Sequence, residues 1–161
     1  MARLDVDAHG RAFPTNGEET MRERSITQFF SALGAPLRML RQSWGAARAD
    51  GTVFLRVWQD RCESHDGKRY VQLTRLEKYG GDSSNFGYKE RQSHVQQIRE
   101  GAKCYLVMCL AKDPVASPRD IKSFNKDKIF VGGQLKQFDS DWWIEIADKV
   151  PSHELMQKSS S

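Results

Sequence analysis

The stretch from Ser43 to Trp58 constrains the fold most tightly, because it reads as a β-hairpin whose strands must pack on both sides. Two short runs of strand-type residues flank Asp50-Gly51, and an Asp-Gly pair between such runs is a strong hairpin signal. Alternate residues of a strand share a face, so Phe54, Arg56 and Trp58 point one way and Val53, Leu55 and Val57 the other. The second trio is an ordinary core face. The first places a cation between two aromatic rings, a surface suited to stacking and hydrogen-bonding a planar group such as a nucleobase. The competing reading makes the same row barrel interior, with the Arg56 head at the rim.

Two registers are open. A two-residue turn at Asp50-Gly51 sets Ala47 opposite Phe54, Gly45 opposite Arg56 and Ser43 opposite Trp58. A three-residue turn, Ala49-Asp50-Gly51 with a bulge at the glycine, moves the pairing by one. Trp44 then joins Phe54, Arg56 and Trp58, with Arg48 and Gln42 at the margins. A one-residue slip exchanges the faces of the first strand.

At 161 residues the chain is expected to form one domain with an adequate core. Three cysteines make no even disulfide framework, and Cys104 and Cys109 lie in an apolar run, so reduced thiols and a cytoplasmic setting are expected. Cys104 and Cys109 would face opposite ways on a strand, which argues against a zinc site shared with Cys62 and His65. No metal and no cofactor is expected. No run reaches the roughly 18 apolar residues of a membrane span, and Arg3, Asp5, Asp7 and Arg11 occupy the region where a signal peptide is apolar. No membrane association is expected.

The net charge is +4, but it is unevenly spread. Residues 38–76 hold eight Lys/Arg against four Asp/Glu and residues 112–136 six against three, whereas residues 137–161 hold two against five. A polyanion partner fits that asymmetry, although a solvated basic face fits so small an excess as well.

Residues 1–24 lack a sustained period and read as a disordered N-terminal segment; residues 25–150 form the domain, and 151–161 a flexible tail. Ser25 with Gln28 fits a capping box ahead of a short helix to about Ala32. The hairpin follows, then a polar turn through Ser64, Asp66 and Gly67 into a strand from Lys68 to about Leu76. Phe86 to Glu100 is the longest helix candidate, with Tyr88, Val95 and Ile98 as its apolar stripe and His94 read with Glu90 as a surface pair. Cys104 to Ala111 is apolar on both faces, as a central strand should be. A basic loop over 117–126 precedes strands through Ile129–Phe138, with a bend at Gly132-Gly133, and Trp142–Ala147. Strands outnumber helices, so the expected fold is α+β: a small mixed or antiparallel β-barrel of about six strands with two flanking helices.

The element order, the chain size and the aromatic–basic face of Phe54, Arg56 and Trp58 resemble the PUA-like superfamily, which includes the SRA, EVE, YTH and ASCH domains. That resemblance, one of pattern over residues 25–150, implies a small barrel able to accept a modified base into an aromatic-lined pocket. The blocks 43–46, 50–60 and 121–125 also look like an uncharacterised family of small bacterial proteins, to which no activity attaches.

The preferred functional reading is a nucleic-acid-binding module without chemistry of its own, DNA ahead of RNA, reading a modified or flipped base. Its expected contacts are Trp44, Phe54 and Trp58 for stacking, and Arg48 and Arg56 for phosphate or a base edge. The basic loop would add Arg119, Lys122 and Lys126 as phosphate contacts, Phe124 as a wedge and Asn125 as a base-edge reader. Packing of Ile121 and Phe124 on the barrel is the competing reading of that loop. A second hypothesis is a metal-dependent nuclease of PD-(D/E)xK type. Asp141 and Glu145 supply its carboxylates, but position 147 is Ala where Lys is needed, and Lys149 is out of register. A third is a protein-interaction domain centred on the Trp and Arg residues of the hairpin.

Overall fold

The computed structural model describes residues 26–39, 42–75, 85–115 and 121–156. Its architecture is α+β, with two helices and one mixed sheet of eight strands among the described residues. Helix α1 covers 26–32 and α2 is Phe86–Arg99. The strands are β1 Gly45–Ala47, β2 Val53–Trp58, β3 Cys62–His65, β4 Lys68–Gln72, β5 Cys104–Ala111, β6 Ile121–Phe124, β7 Lys128–Phe138 and β8 Asp141–Pro151.

The sheet order is β1-β2-β5-β7-β8-β4-β3, with β6 also paired to β5. β2 and β5 run parallel, Val53 beside Cys104 through Trp58 beside Cys109, and the other neighbours are antiparallel. The path has two ends, so the expected closed barrel of about six strands is corrected to an open eight-stranded sheet. The sheet nevertheless curls, because β2 continues through a 3₁₀ turn at Gln59–Arg61 into β3 at its far end.

Turn chemistry decides the registers. Ala46 faces Phe54 and Gly45 faces Leu55, which is the three-residue register of the first hairpin. Gly51 adopts φ 91°, its N–H donates to Arg48 O at 3.0 Å, and Asp50 Oδ1 accepts from Thr52 N at 2.9 Å. Hydrogen bonds from Thr52 hold the Asp50 carboxyl below its ordinary range. Asp66-Gly67 and Asp139-Ser140 make two-residue turns with positive φ at both positions. Asn85 caps α2, accepting from Tyr88 N at 2.8 Å. The bend expected at Gly132-Gly133 appears as two register shifts in the β7–β8 ladder.

Each face of the sheet carries its own core. Phe54, Val107, Cys109 and Ile129 pack under Phe29, Phe30 and Leu33, the residues of α1 and its end. Val53, Leu55, Val57, Leu106, Val71 and Ile144 fill the inside of the curl, together with Val95 of α2. α2 lies close against the first hairpin: a Cβ at Gly87 would stand 2.2 Å from Trp44 Nε1 and 2.6 Å from Gln42 O.

Between β2 and the end of β4 sits Arg91, 3% exposed. Its guanidinium donates to Arg56 O at 2.5 Å, Trp44 O at 2.9 Å and Leu73 O at 3.2 Å. One side chain thereby gives donors to Arg56 O and Leu73 O, and a second donor to Trp44 O, which already accepts from Arg56 N at 2.8 Å. His94, expected at the surface, is buried at 6% exposure on the same helix. Residues 151–156 are docked where a flexible tail was expected. Ser152 N donates to Asp127 O at 2.8 Å, and Leu155 and Met156 pack against the α1 core. The expected disordered segment 1–24 lies outside the described residues.

Candidate functional site

The aromatic–arginine row of the hairpin is part of the packed interior. Phe54 is wholly buried, stacked on Tyr105 at 5.4 Å between ring centroids, with α1 above it. This closes the expected stacking surface at Phe54, since α1 needs an apolar seat and takes this face. Arg48 lies over the Phe54 ring at 4.8 Å and donates to Leu33 O at 2.6 Å and to Leu155 O, tying three segments together. Arg56 donates to Ser43 O at 3.0 Å. Trp58 is half-buried against the α1 core. Trp44 turns toward α2, edge-on to Tyr88 at 6.2 Å and beneath the Arg91 guanidinium at 5.7 Å. The structure therefore disperses the expected site: Phe54 and Arg48 serve the core, and Trp44 belongs to the α2 interface.

The second expected cluster stays together and gains a setting. β6, read from sequence as loop, pairs with the end of β5, Cys109 to Phe124 and Leu110 to Ser123, with a bulge that passes Lys122. Phe124 is not a free wedge: it meets Phe29 edge-on at 5.2 Å. Lys122 and Lys126 are exposed, the latter 5.5 Å over the Phe124 ring. Asn125 N donates to Met108 O at 2.9 Å, which seats the turn on β5. Arg119 lies outside the described residues.

This turn forms one wall of a cavity of ≈ 410 Å³ at the mouth of the curled sheet. Strand parity explains its lining. Met108 and Leu110 extend the inner face of β5, Phe130 and Ile146 that of β7 and β8, and all four are apolar. Arg69 belongs to the same inner face as Val71 and Leu73, one step beyond the point where apolar filling ends. Gln59, Ser123 and Asn125 complete the polar rim. Cys62 also lines the cavity; burial pushes its thiol up, against the pull of Arg69, so it is neutral at physiological pH. Sequence reasoning missed Arg69, Met108, Phe130 and Ile146. The available signal was the alternation Arg69, Val71, Leu73, a cation where the period calls for an apolar side chain.

The carboxylates of the nuclease hypothesis do not converge. Asp141 accepts from Gln72 at 3.3 Å and Thr74 at 3.0 Å, while Glu145 meets Lys68 at 3.8 Å and Gln134 N at 3.3 Å. Among the described residues no group of three His, Cys, Asp or Glu stands where it could hold a metal ion. No helix among them is long and apolar enough to cross a membrane. No protein-family model matches this chain, and comparison with curated proteins and with solved structures gives no match.

Proposed function

We propose that this protein is a nucleic-acid-binding module that takes one unstacked base into the mouth of its curled sheet. One observation carries the reading: the ≈ 410 Å³ cavity has an apolar floor, a rim of Arg, Asn, Gln and Ser without a carboxylate, and a wall built by the turn that bears two exposed lysines. Small-molecule sites occupy about 300–1,000 Å³, with mostly apolar linings and a few polar groups that fix orientation. A nucleoside matches the lower part of that range. Lys122 and Lys126 are exposed and flank the lining residues Ser123, Phe124 and Asn125, so they are the cations to meet the phosphates on either side of an inserted base. The PUA-like pattern of the sequence points the same way, as does the basic character of residues 112–136.

Fluorescence anisotropy with short labelled single strands of DNA and RNA, at low and moderate salt, tests the proposal. Binding that weakens with salt and falls about tenfold or more in Arg69→Ala is expected, since a bidentate contact to a base edge contributes about 1–3 kcal/mol. Absence of binding at low salt, or an Arg69→Ala protein that binds as well as the parent, overturns it.

A further inference from the structure

We infer that the cavity selects guanine over adenine, because two of its polar lining side chains, Arg69 and Asn125, have only hydrogen-bond donors to offer. This inference rests on the base-binding reading above. Asn125 is the key residue. Its Oδ1 accepts from both Asp127 N at 3.1 Å and Lys128 N at 3.0 Å, which fixes which way the amide points. A carbonyl oxygen has two lone pairs, and both are used. The amide therefore has only its NH₂ group to offer a ligand.

Arg69 has five N–H donors and no acceptor. Among the described residues it forms no ion pair, and it stands exposed at the rim. Cys62 beside it carries a neutral thiol, which is a weak acceptor. Ser123 and Gln59 can rotate to suit either partner, so they do not reverse the balance. The two purines fill the same space, which leaves edge chemistry to separate them. Guanine offers O6 and N7 side by side, the edge that arginine reads with two bonds. Adenine puts its N6 amino group beside N7, so a rim of donors meets a donor and leaves polar groups unpaired.

The experiment uses the full chain and an oligonucleotide in which one base stands between abasic spacers. Guanine and hypoxanthine, which share O6 and N7, should bind about tenfold or more tighter than adenine, and 7-deazaguanine should lose much of that advantage. Arg69→Ala should abolish the difference between guanine and adenine. Asn125→Asp is the second variant: it keeps an oxygen for the two backbone N–H groups but exchanges the free donor for an acceptor. It should erase the guanine preference while leaving the melting temperature near that of the parent. Equal binding of guanine and adenine overturns the inference alone. An abasic strand that binds as tightly as the guanine strand, or no binding of either, overturns the base-binding reading beneath it.

Discussion

Arg91 links the first hairpin to the end of β4 by hydrogen-bonding Arg56, Trp44 and Leu73 carbonyls from within the protein. Burial pulls its pKa down to about 10, so it stays charged at neutral pH. Arg91→Ala leaves three carbonyls without that donor and should cost about 3–5 kcal/mol, read as a lower urea midpoint with an unchanged slope. Arg91→Lys, which can reach fewer of them, should fall between. A cost under about 1 kcal/mol for the alanine variant would mean that these strands are held by the apolar core alone. His94 adds a pH dependence. Burial, reinforced by the Arg91 charge, lowers its pKa from 6.5 to about 4. The unfolded chain therefore binds the proton first, and stability falls as the pH drops from about 6.5 to about 4, by at most about 3 kcal/mol. Glu90, whose carboxyl burial raises, works in the opposite direction. Denaturation midpoints of the parent and of His94→Gln across that window provide the check; a parent slope that survives the substitution excludes His94 as its source. Neither residue was legible as buried. A hydrophobic period marks Tyr88, Val95 and Ile98 as inward, but it cannot register strand carbonyls that bond to a side chain of the neighbouring helix.

Among the elements, those with a long period or a strong terminal signal were the readable ones. β5 is apolar on both faces and proves central, and α2 starts at its Asn85 cap and ends within a residue of the expected stop. The strands before and after Asp139-Ser140 follow from alternation and turn residues. β3 and β6, four residues each, were not readable. Lys122 and Ser123 interrupt β6, and Cys62–His65 holds no apolar alternation, because β3 is an edge strand with little to bury. The hairpin was legible as a hairpin, and both of its registers were consistent with the sequence. What fixed its environment was α1: Phe29, Phe30 and Leu33 need an apolar seat, and Phe54 with Ala46 provides one. An aromatic row on a strand thus served packing, and the polar rim of the cavity stands on the opposite face. Arg69 was the legible clue to that rim, as a cation on the Val71 and Leu73 side of β4.

Across the whole molecule the sheet divides labour between its faces. The outer side of β4, β7 and β8 binds its own cations: Lys68 lies 3.8 Å from Glu145, and Lys136 stands 5.7 Å over the Tyr70 ring. At the mouth of the curl, Lys122 and Lys126 stay exposed on a turn that Ser152 secures, its Oγ donating to Lys126 O at 2.5 Å. On the proposed reading, that difference assigns the polyanion contact to the mouth and gives it a measurable signature. Neutralising one phosphate of a single strand changes the slope of log K against log salt by about 0.7. Replacing both Lys122 and Lys126 with Ala should therefore lower the slope by about 1.4. Phosphate contacts carry no base identity, so the guanine preference should persist in that double variant while overall affinity falls. Arg69→Ala should do the reverse, erasing the preference and altering the slope little. If the double variant keeps the parental slope, the two lysines do not touch phosphate, and the strand must enter the cavity from another side.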